Sequence, residues 1–374
     1  MERLIAIDGN SLLFRAYYAL PDMTTRDGVP TGALHGFLTM LLKLAQTNPD
    51  YLAVAFDLPG KNFRHERYDA YKAGRRETPE DLSSQFPLLR ELLAEMGIAV
   101  CTCPGFEADD ILGTLAKRAE ARGASVLLVT GDRDALQLVS ERTHVLLTKR
   151  GLSDTVEYTV ELLQEQYGLS PSRMRDLKGL MGDNSDNIPG IPGVGEKTAL
   201  KLLAEYGDLE AVLSHAGEIK GKLGERVREN AESARLSYWL GTIDTQAPVT
   251  TDLSDCAFHL PTLSGAGEHL RALELRAVLA KLPEREEPRR PVEATGCTCT
   301  PIDSLPALQE AIAAHPAPKA FAVCTEGQIS FAFSPKQSYV VTAGETLFDA
   351  VLEPAQVYRA LAPLLQDALV EKLV

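Results

Sequence analysis

The sequence lacks any apolar run that approaches the roughly 20 residues a membrane-spanning helix requires. Its first ten residues, MERLIAIDGN, contain acidic and polar residues that interrupt any signal-peptide core. These two absences predict a cytoplasmic protein with no membrane partner. Hydrophobic residues make up 45% and charged residues 24% of the 374 positions, a composition typical of a globular protein with two or three domains.

Cysteine is scarce, and its spacing does not suit zinc. Four of the six cysteines form two C-x-C pairs, none forms a C-x-x-C pair, and no paired histidines accompany them. We therefore expect reduced, structural thiols at positions 101, 103, 256, 297, 299 and 324.

Positive charge is also in short supply. The chain has 38 Lys and Arg residues against 52 Asp and Glu residues, a net charge of −14. At first this argues against a nucleic-acid partner, because phosphate binding requires basic residues. Nine of the acids, however, fall in motifs where they look like metal ligands, so the local charge is more informative than the sum.

The first 140 residues alternate strand-like and helix-like patterns, which predicts a parallel α/β sheet. Three short apolar runs end at or just before an aspartate, namely Asp8, Asp57 and Asp132. Because the carboxyl ends of parallel strands form one edge where ligands bind, we expect these three side chains to share a site. The alternative is that each aspartate merely caps its own strand or turn.

After about residue 160 the pattern becomes helical with short turns. A proline- and charge-rich run, PEREEPRRP, then reads as a linker. A further α/β pattern follows and reaches Val374 inside a helical stretch, so we expect this domain to be partial. The predicted divisions are an α/β domain at 1–160, a helical subdomain at 161–282, a linker at 283–296 and a partial domain at 297–374.

The remaining acids of interest stand close together in three segments: Glu107, Asp109 and Asp110; Asp132 and Asp134; and Asp183 and Asp186. Acids at a helix start are favoured by the helix dipole, so the first group could be a plain helix start. Converging carboxylates raise one another's pKa, and divalent cations relieve that repulsion. Oxygen ligands suit Mg²⁺ or Mn²⁺, and two such ions about 4 Å apart can activate water against a phosphodiester.

Together these motifs resemble the 5′-nuclease domain of bacterial DNA polymerase I, a member of the flap endonuclease family. The resemblance extends over roughly residues 1–285 and is carried by IAIDGNSLLFRAYYAL, AFD, EADD, TGDRDALQL and GLMGDNSDNIPGIPGVGEKTA. It implies a PIN-like parallel-sheet nuclease core with a helical arch at about 61–80 and a helix-three-turn-helix DNA-binding subdomain. A truncated RNase H-like α/β domain would follow.

The resemblance also implies a site with two Mg²⁺ ions, for which Mn²⁺ can substitute. The acids at 107–134 would lie nearer the first ion and those at 183 and 186 nearer the second. Position by position, the implied metal residues are Asp8, Asp57, Glu107, Asp109, Asp110, Asp132, Asp134, Asp183 and Asp186.

A glycine-rich stretch at 188–198 invites comparison with a nucleotide-binding P-loop. Gly190 and Gly195 have the required separation, but Glu196 precedes Lys197 and would face the phosphate. A hairpin leading into a helix is the better interpretation, because Gly193 and Gly195 allow backbone N–H groups to approach a DNA phosphate. The resemblance implies that this hairpin, with Lys197 and Lys222, holds duplex DNA and seats a K⁺ ion.

The segment 61–76, KNFRHERYDAYKAGRR, carries six basic residues interleaved with aromatics, a pattern suited to single-stranded nucleic acid. An ordinary exposed helix is the alternative. By resemblance it is the arch through which a 5′ strand passes. Lys72 and Arg75 would then steady the scissile phosphate with Tyr71 beside them, and Arg64 and Arg76 would contact DNA.

The last domain resembles the start of a 3′–5′ exonuclease-like domain. An active version presents an Asp-x-Glu pair for its metals, but the matching place here reads Cys324-Thr325-Glu326. The missing first carboxylate predicts that this domain is inactive.

The acids and the resemblance together predict a monomeric, metal-dependent hydrolase that cuts branched or flapped DNA, and the resemblance implies RNA-primed DNA as a substrate and a role in replication and repair. The polymerase (nucleotidyltransferase) part would lie outside this chain. Two alternatives are a non-catalytic DNA-junction-binding module and a PIN-like single-strand RNase. The hairpin and the arch argue against the RNase.

Overall fold

The computed structural model describes residues 2–151, 154–283, 298–315, 320–324, 329–334, 337–341, 354–366 and 371–373. The chain divides into two compact units, residues 1–285 and 286–374. Almost all of the predicted linker lies outside the described residues, as do Thr325 and Glu326, on which the predicted inactivity of the last domain depends.

A six-stranded sheet forms the centre of the first unit. Its strands are β1 (Arg3–Asp8), β2 (Tyr51–Ala55), β3 (Ala99–Cys101), β4 (Ser125–Thr130), β5 (Thr143–Arg150) and β6 (Asp154–Tyr158). They lie in the order β3-β2-β1-β4-β5-β6, and every neighbouring pair is parallel except β5 and β6. Because both faces of the sheet are covered, the inner strands are continuously apolar, as in the buried run Leu4–Ile7 of β1.

Helices α1 (Gly9–Ala19), α2 (Gly32–Ala45), α4 (Glu80–Ser83), α5 (Gln85–Glu95) and α6 (Ala108–Ala121) cover the two faces of this sheet, and a short helix, α3 (Phe63–Arg67), lies in the segment after β2. The apolar stripe of α6, including Ile111 and Leu115, packs in one core. The apolar sides of α1, α2 and α5 pack in the other. Both α1 and α6 begin at the carboxyl edge of the sheet, directly after Asp8 and Glu107.

The rest of the first unit is mainly helical, with α7 (Val160–Tyr167), α8 (Met174–Met181), α9 (Glu196–Tyr206), α10 (Leu209–Ser214), α11 (Lys222–Glu229), α12 (Ala231–Leu240), α13 (Gly267–Ala272) and α14 (Arg276–Leu279). Short 3₁₀ helices lie at Arg133–Leu138, Pro171–Arg173, Leu253–Cys256 and Leu260–Ala266. The core of α8, α9 and α12 is continuous with the α6 side of the sheet. By contrast, Leu263, Leu270 and Val278 pack on the opposite face, so the end of the predicted helical subdomain belongs with the sheet.

Little of the predicted arch is helical, which corrects one expectation from the sequence. Only Phe63–Arg67 forms a helix, and turns follow until Gly74. Lys72 has a φ of +58°, a left-handed conformation that ends a helix. The backbone N–H of Lys72 instead donates to the carbonyl oxygen of Asp186 at 2.9 Å. This hydrogen bond ties the segment to the helical part of the unit.

The second unit contains a five-stranded mixed sheet in the order β11-β8-β9-β10-β7. Its elements are β7 (Thr298–Ile302), α15 (Leu305–Ala313), β8 (Ala320–Cys324), β9 (Ile329–Ser334), β10 (Gln337–Val341), α16 (Pro354–Gln366) and β11 (Glu371–Leu373). Within the described ranges of both units, no helix is long and apolar enough to cross a bilayer.

Candidate functional site

A cleft of about 1130 Å³ opens at the carboxyl edge of the six-stranded sheet. The structure brings most of the predicted metal-binding acids to its lining: Asp8, Asp57, Glu107, Asp109, Asp132, Asp134 and Asp183. Asp186 lies beside it, because its carboxylate pairs with Arg75, which lines the same cleft.

Three of these acids are placed by the strands that precede them. Asp8 ends β1, and its carboxylate accepts hydrogen bonds from the Ser11 N–H at 2.8 Å and the Thr130 hydroxyl at 2.7 Å. Asp57 lies two residues beyond β2 and accepts a hydrogen bond from the N–H of Ala108 at 2.7 Å. Asp132 follows β4 at the same edge. The strand ends therefore gather the three aspartates around one opening.

Four of the cleft acids carry no basic partner. Among the residues that the structure describes, Asp8, Asp57, Asp109 and Asp132 form no ion pair within 4.0 Å. In addition, Oδ1 of Asp109 is buried and has no hydrogen-bond partner. A buried carboxylate oxygen left unsatisfied is costly and rare. This half of the cleft therefore holds negative charge that the described side chains do not balance.

The pKa values of these acids respond to that imbalance. Burial, reinforced by the charges of Asp57 and Asp132, raises the pKa of Asp8 to about 7. Burial and the neighbouring Asp132 likewise raise the pKa of Asp134 to about 7, and the pKa of Asp109 lies well above its usual value for the same reasons. Without a cation, these groups therefore tend to hold protons near neutral pH.

In the other half of the cleft, each acid contacts a basic side chain. Lys72 Nζ lies 2.5 Å from Glu107 Oε1, and Arg75 Nη2 lies 2.5 Å from Asp186 Oδ1. Burial opposes the ionisation of Glu107, but Lys72 and Arg64 outweigh burial and lower its pKa.

Lys178, which the sequence analysis missed, joins two further acids. Its Nζ lies 2.7 Å from Asp134 Oδ1 and also pairs with Asp183 Oδ2. Burial of Asp183 is outweighed by this lysine, so the pKa of Asp183 is lowered. The only available signal was a lysine on the buried side of α8, five residues before Asp183.

The unbalanced half of the cleft suits a hard divalent cation. Its donors are all carboxylate oxygens, which Mg²⁺ and Mn²⁺ prefer, and Asp109 Oδ1 has no other partner. Over the described part of the chain, no three His, Cys, Asp or Glu side chains are arranged as a ready-made metal site. This is expected where like charges repel and lysines hold Glu107, Asp134 and Asp183. Asp8, Asp57, Asp109 and Asp132 are the residues that would hold a cation first.

Asp110 is not available as a metal ligand, which corrects the sequence analysis. Its two carboxylate oxygens accept hydrogen bonds from both Nη atoms of Arg64 at 2.8 Å, from the Glu107 N–H at 3.1 Å and from the Asp244 N–H at 2.8 Å. Its side chain is fully buried. Asp110 is not among the residues that line the cleft, and its pair with Arg64 joins the arch segment to α6.

The predicted contact between Arg64 and DNA is wrong for the same reason. The Arg64 side chain is only 3% exposed. Besides Asp110, it donates to the carbonyl oxygens of Leu240 at 3.0 Å and Thr242 at 2.8 Å. Its guanidinium group is therefore already satisfied within the protein.

Tyr71 is buried beneath the cleft instead of standing at its surface. Its hydroxyl donates to Glu107 Oε2 at 3.1 Å and to Asp186 Oδ2 at 3.4 Å. Asn62, a second residue that the sequence analysis missed, donates to Glu107 Oε1 at 2.7 Å. Tyr71 and Asn62 therefore orient the acids of the cleft.

The predicted DNA-binding residues divide into exposed and buried groups. Gly193, Gly195, Lys197, Lys222 and Arg76 are exposed, and Gly193 has a φ of +78° that favours glycine. Gly190 is buried, and its N–H donates to Ser237 Oγ at 2.8 Å. The structure therefore contradicts a direct phosphate contact by the Gly190 N–H. Glycine is needed at position 190 because a Cβ atom there would lie only 2.3 Å from the backbone nitrogen of Gly182.

Two sequence models of known families match the chain. Residues 3–168 match the 5′-3′ exonuclease N-terminal resolvase-like domain, and residues 169–263 match the 5′-3′ exonuclease C-terminal SAM fold. DNA polymerase I of Bacillus caldotenax is 50% identical over 259 residues, which are 69% of this chain and 30% of that protein. The thermostable DNA polymerase I of Thermus thermophilus is 41% identical over 292 residues, 78% of this chain and 34% of that protein. The chain thus matches about a third of the length of these curated relatives.

Solved structures share the fold. The 5′-exonuclease of bacteriophage T5, bound to zinc, aligns with a TM-score of 0.55 at 20% identity over 75% of this chain and 100% of that chain. The catalytic core of Rad2 in complex with a DNA substrate aligns with a TM-score of 0.52 at 18% identity over 75% of this chain and 93% of that chain.

Proposed function

This chain belongs to the 5′-3′ exonuclease family, and from that premise we propose that it is a structure-specific 5′ nuclease that hydrolyses phosphodiester bonds where single-stranded DNA meets a duplex. The observation that carries the proposal is the set of four unpaired acids at the sheet edge, with Asp109 Oδ1 buried and unsatisfied. Such a site gains most from divalent cations, and it lies in a cleft of about 1130 Å³ at the edge of the sheet.

We assign the first cation to Asp8, Asp57, Asp109 and Asp132. A second would be held near Asp134, Asp183 and Asp186 with the help of Glu107. Bound Mg²⁺ or Mn²⁺ would supply an activated water and neutralise charge on the reacting phosphate. The T5 5′-exonuclease has been solved with zinc bound, but the all-oxygen donor set of this chain favours Mg²⁺ over zinc.

Basic side chains at the rim would place the substrate. In the free protein Lys72 pairs with Glu107 and Arg75 pairs with Asp186. These two basic side chains therefore already lie where a phosphate would enter the cleft. Arg76, exposed on the cleft lining, would extend this contact along a single strand.

Duplex DNA would be held at the hairpin before α9. The exposed Gly193 and Gly195 leave backbone N–H groups near the N-terminus of that helix, and Lys197 and Lys222 add positive charge. A K⁺ ion bound by the hairpin belongs to the same proposal. The T5 exonuclease and Rad2 structures support it through their fold, and the Rad2 structure contains DNA.

The role of the longer protein is also a proposal, because this chain matches about a third of its relatives' length. We propose that the nuclease acts as a cytoplasmic monomer in replication and repair, removing RNA primers and flaps. DNA polymerisation would then be carried out by a region that this chain does not include.

The proposal is tested with a labelled 5′-flap duplex, a blunt duplex and a single-stranded RNA of the same sequence. We expect cleavage of the flap substrate in Mg²⁺, near the junction, and none in EDTA. Binding of the flap without cleavage in either buffer would instead indicate a junction-binding module. Preferential cleavage of the single-stranded RNA would indicate an RNase.

A further inference from the structure

Neighbouring residues of the first unit hold the side chain of Lys178 in one position. Its side chain is 11% exposed, and a Cβ added at Gly241 would lie 2.5 Å from its Cγ, so the stem packs directly on the backbone there. Gly241 is in turn fixed, because its carbonyl oxygen accepts a hydrogen bond from Gln137 at 2.9 Å. The ammonium group therefore has little freedom to point elsewhere.

The ammonium group bridges two acids from different elements. Asp134 lies in the 3₁₀ helix after β4, and Asp183 lies beyond the end of α8. Lys178 is the basic group that contacts each of them in the described part of the chain. One positive charge cannot neutralise two ionised carboxylates, so the pair in its ionised form is negative overall and still attracts a cation.

We propose that Lys178 is an internal cation that holds the Asp134–Asp183 half of the cleft in the metal-free protein and must be displaced from these carboxylates before a divalent ion can bind there. The inference rests on the proposed function and deepens it. Asp8, Asp57, Asp109 and Asp132 have no such competitor, so the two halves of one cleft differ in cation affinity. The lysine weakens the second site and keeps the first site the tighter of the two.

The test is a titration with Mn²⁺ alone, in which electron paramagnetic resonance measures the free ion. Lys178→Met keeps the aliphatic stem against Gly241 and removes the charge. We expect the weaker Mn²⁺ site to tighten by about tenfold or more, a change of roughly 1.4 kcal/mol, while the tighter site changes little.

A matched control separates direct competition from a general loss of positive charge. Arg133 lines the same cleft, but it pairs with Glu196 and Tyr167 instead of the metal-binding acids. Arg133→Gln should tighten the weaker site by less than about threefold, the effect of a screened charge without contact. Equal tightening in the two variants, or no change in Lys178→Met, would overturn the inference.

A measurement on the unchanged protein covers the case in which Lys178→Met does not fold. Acetylation by acetic anhydride, quantified by mass spectrometry, reports whether an amine is held in an ion pair. We expect Lys178 to become several-fold more reactive when Mn²⁺ is added, while the exposed Lys222 stays constant as an internal reference. A Lys178 reactivity that saturating Mn²⁺ leaves unchanged would contradict the displacement.

The outcomes also separate this inference from the proposed function. If the unchanged chain binds no Mn²⁺ at all, both the proposed metal-dependent nuclease function and the inference about Lys178 are refuted. If it binds Mn²⁺ in two classes of site that Lys178→Met does not alter, only the role of Lys178 is lost.

Discussion

Arg64 and Asp110 form a bidentate ion pair, in which each guanidinium Nη atom lies 2.8 Å from one carboxylate oxygen. Neither side chain is more than 3% exposed. The pair joins the segment after β2 to α6, and Arg64 continues to the carbonyl oxygens of Leu240 and Thr242. Asp110 is the neighbour of Asp109 in the first turn of α6. The acid that is fully satisfied and the acid that is unsatisfied therefore sit side by side on one helix, and they should respond to mutation in opposite ways.

Asp110→Asn should destabilise the protein strongly. Removing one partner of a buried pair leaves Arg64 charged and uncompensated, at a cost of about 3–5 kcal/mol in the free energy of unfolding. Urea denaturation measures this change. The control is Asp69→Asn, because Asp69 pairs with Lys61 at the surface and such pairs contribute less than about 1 kcal/mol. If Asp110→Asn lowered the free energy of unfolding by as little as Asp69→Asn does, the Arg64–Asp110 pair would not be needed for stability.

Asp109→Asn should stabilise the metal-free protein and weaken metal binding. It replaces an unpaired acid among like charges with a neutral amide, and relief of such functional strain contributes about 0.5–2 kcal/mol. Urea denaturation in EDTA at pH 8 and a Mn²⁺ titration measure the two effects. Loss of stability together with unchanged Mn²⁺ affinity would mean that Asp109 has a structural role and not a cation-binding one.

The metal-free protein should lose stability as the pH rises from about 4 to about 7. The pKa values of Asp8 and Asp134 are raised to about 7 in the folded chain, so the folded chain binds these protons more tightly than the unfolded chain does. The part of the loss that comes from Asp8 and Asp134 is complete once they are ionised in both states, above pH 7. Glu107 and Asp183 have lowered pKa values. Their contribution to the free energy of unfolding therefore changes only below about pH 4.5, at the acidic end of this range.

Melting temperatures in EDTA between pH 5 and pH 8 measure this loss. Mg²⁺ should reduce it, since a cation favours the ionised acids. Asp8→Asn provides the control, because the same histidines titrate in both proteins and the difference isolates Asp8. A melting temperature that rises steadily over this range in EDTA, equally in both proteins, would contradict the assignment.

Lys222→Ala should weaken duplex binding without changing the rate of the chemical step. A phosphate contact carries no sequence information, and its loss should reduce the slope of log K against log salt by about 1. Fluorescence anisotropy at several salt concentrations measures this slope. Lys43→Ala, an exposed lysine on α2, should leave the slope unchanged. Identical slopes for the two variants would show that Lys222 does not contact a DNA phosphate.

Much of the sheet and half of the site could be predicted from the sequence. Short apolar runs ending in Asp8, Asp57 and Asp132 have a local cause, since buried parallel strands read as continuous hydrophobic segments. Their common edge follows from the topology of parallel sheets. Strand ends explain the positions of Asp8, Asp57 and Asp132, whereas Glu107, Asp109, Asp134 and Asp183, which also line the cleft, were indicated by the clustering of acids and by the family resemblance.

The remainder depended on contacts between distant parts of the chain. Arg64 and Asp110 are 46 residues apart, and nothing local distinguishes a buried arginine from a DNA-binding one in a basic segment. Lys178 meets Asp134 only when α8 packs beside the edge of the sheet. The family resemblance implied a helical arch, but after Arg67 the segment forms turns, and the Lys72 N–H donates to the Asp186 carbonyl oxygen, 114 residues away in the chain.

The most direct test compares cleavage of a 5′-flap duplex in Mg²⁺ by the unchanged chain and by Asp132→Asn, with DNA binding measured in EDTA. Asp132 is one of the four unpaired acids, so its neutralisation should reduce the cleavage rate by about a hundredfold or more, as the loss of several kcal/mol of transition-state stabilisation requires. DNA binding in EDTA should remain within about twofold, because the hairpin is intact. Equal cleavage rates for the two proteins would contradict a cation-dependent nuclease at this cleft.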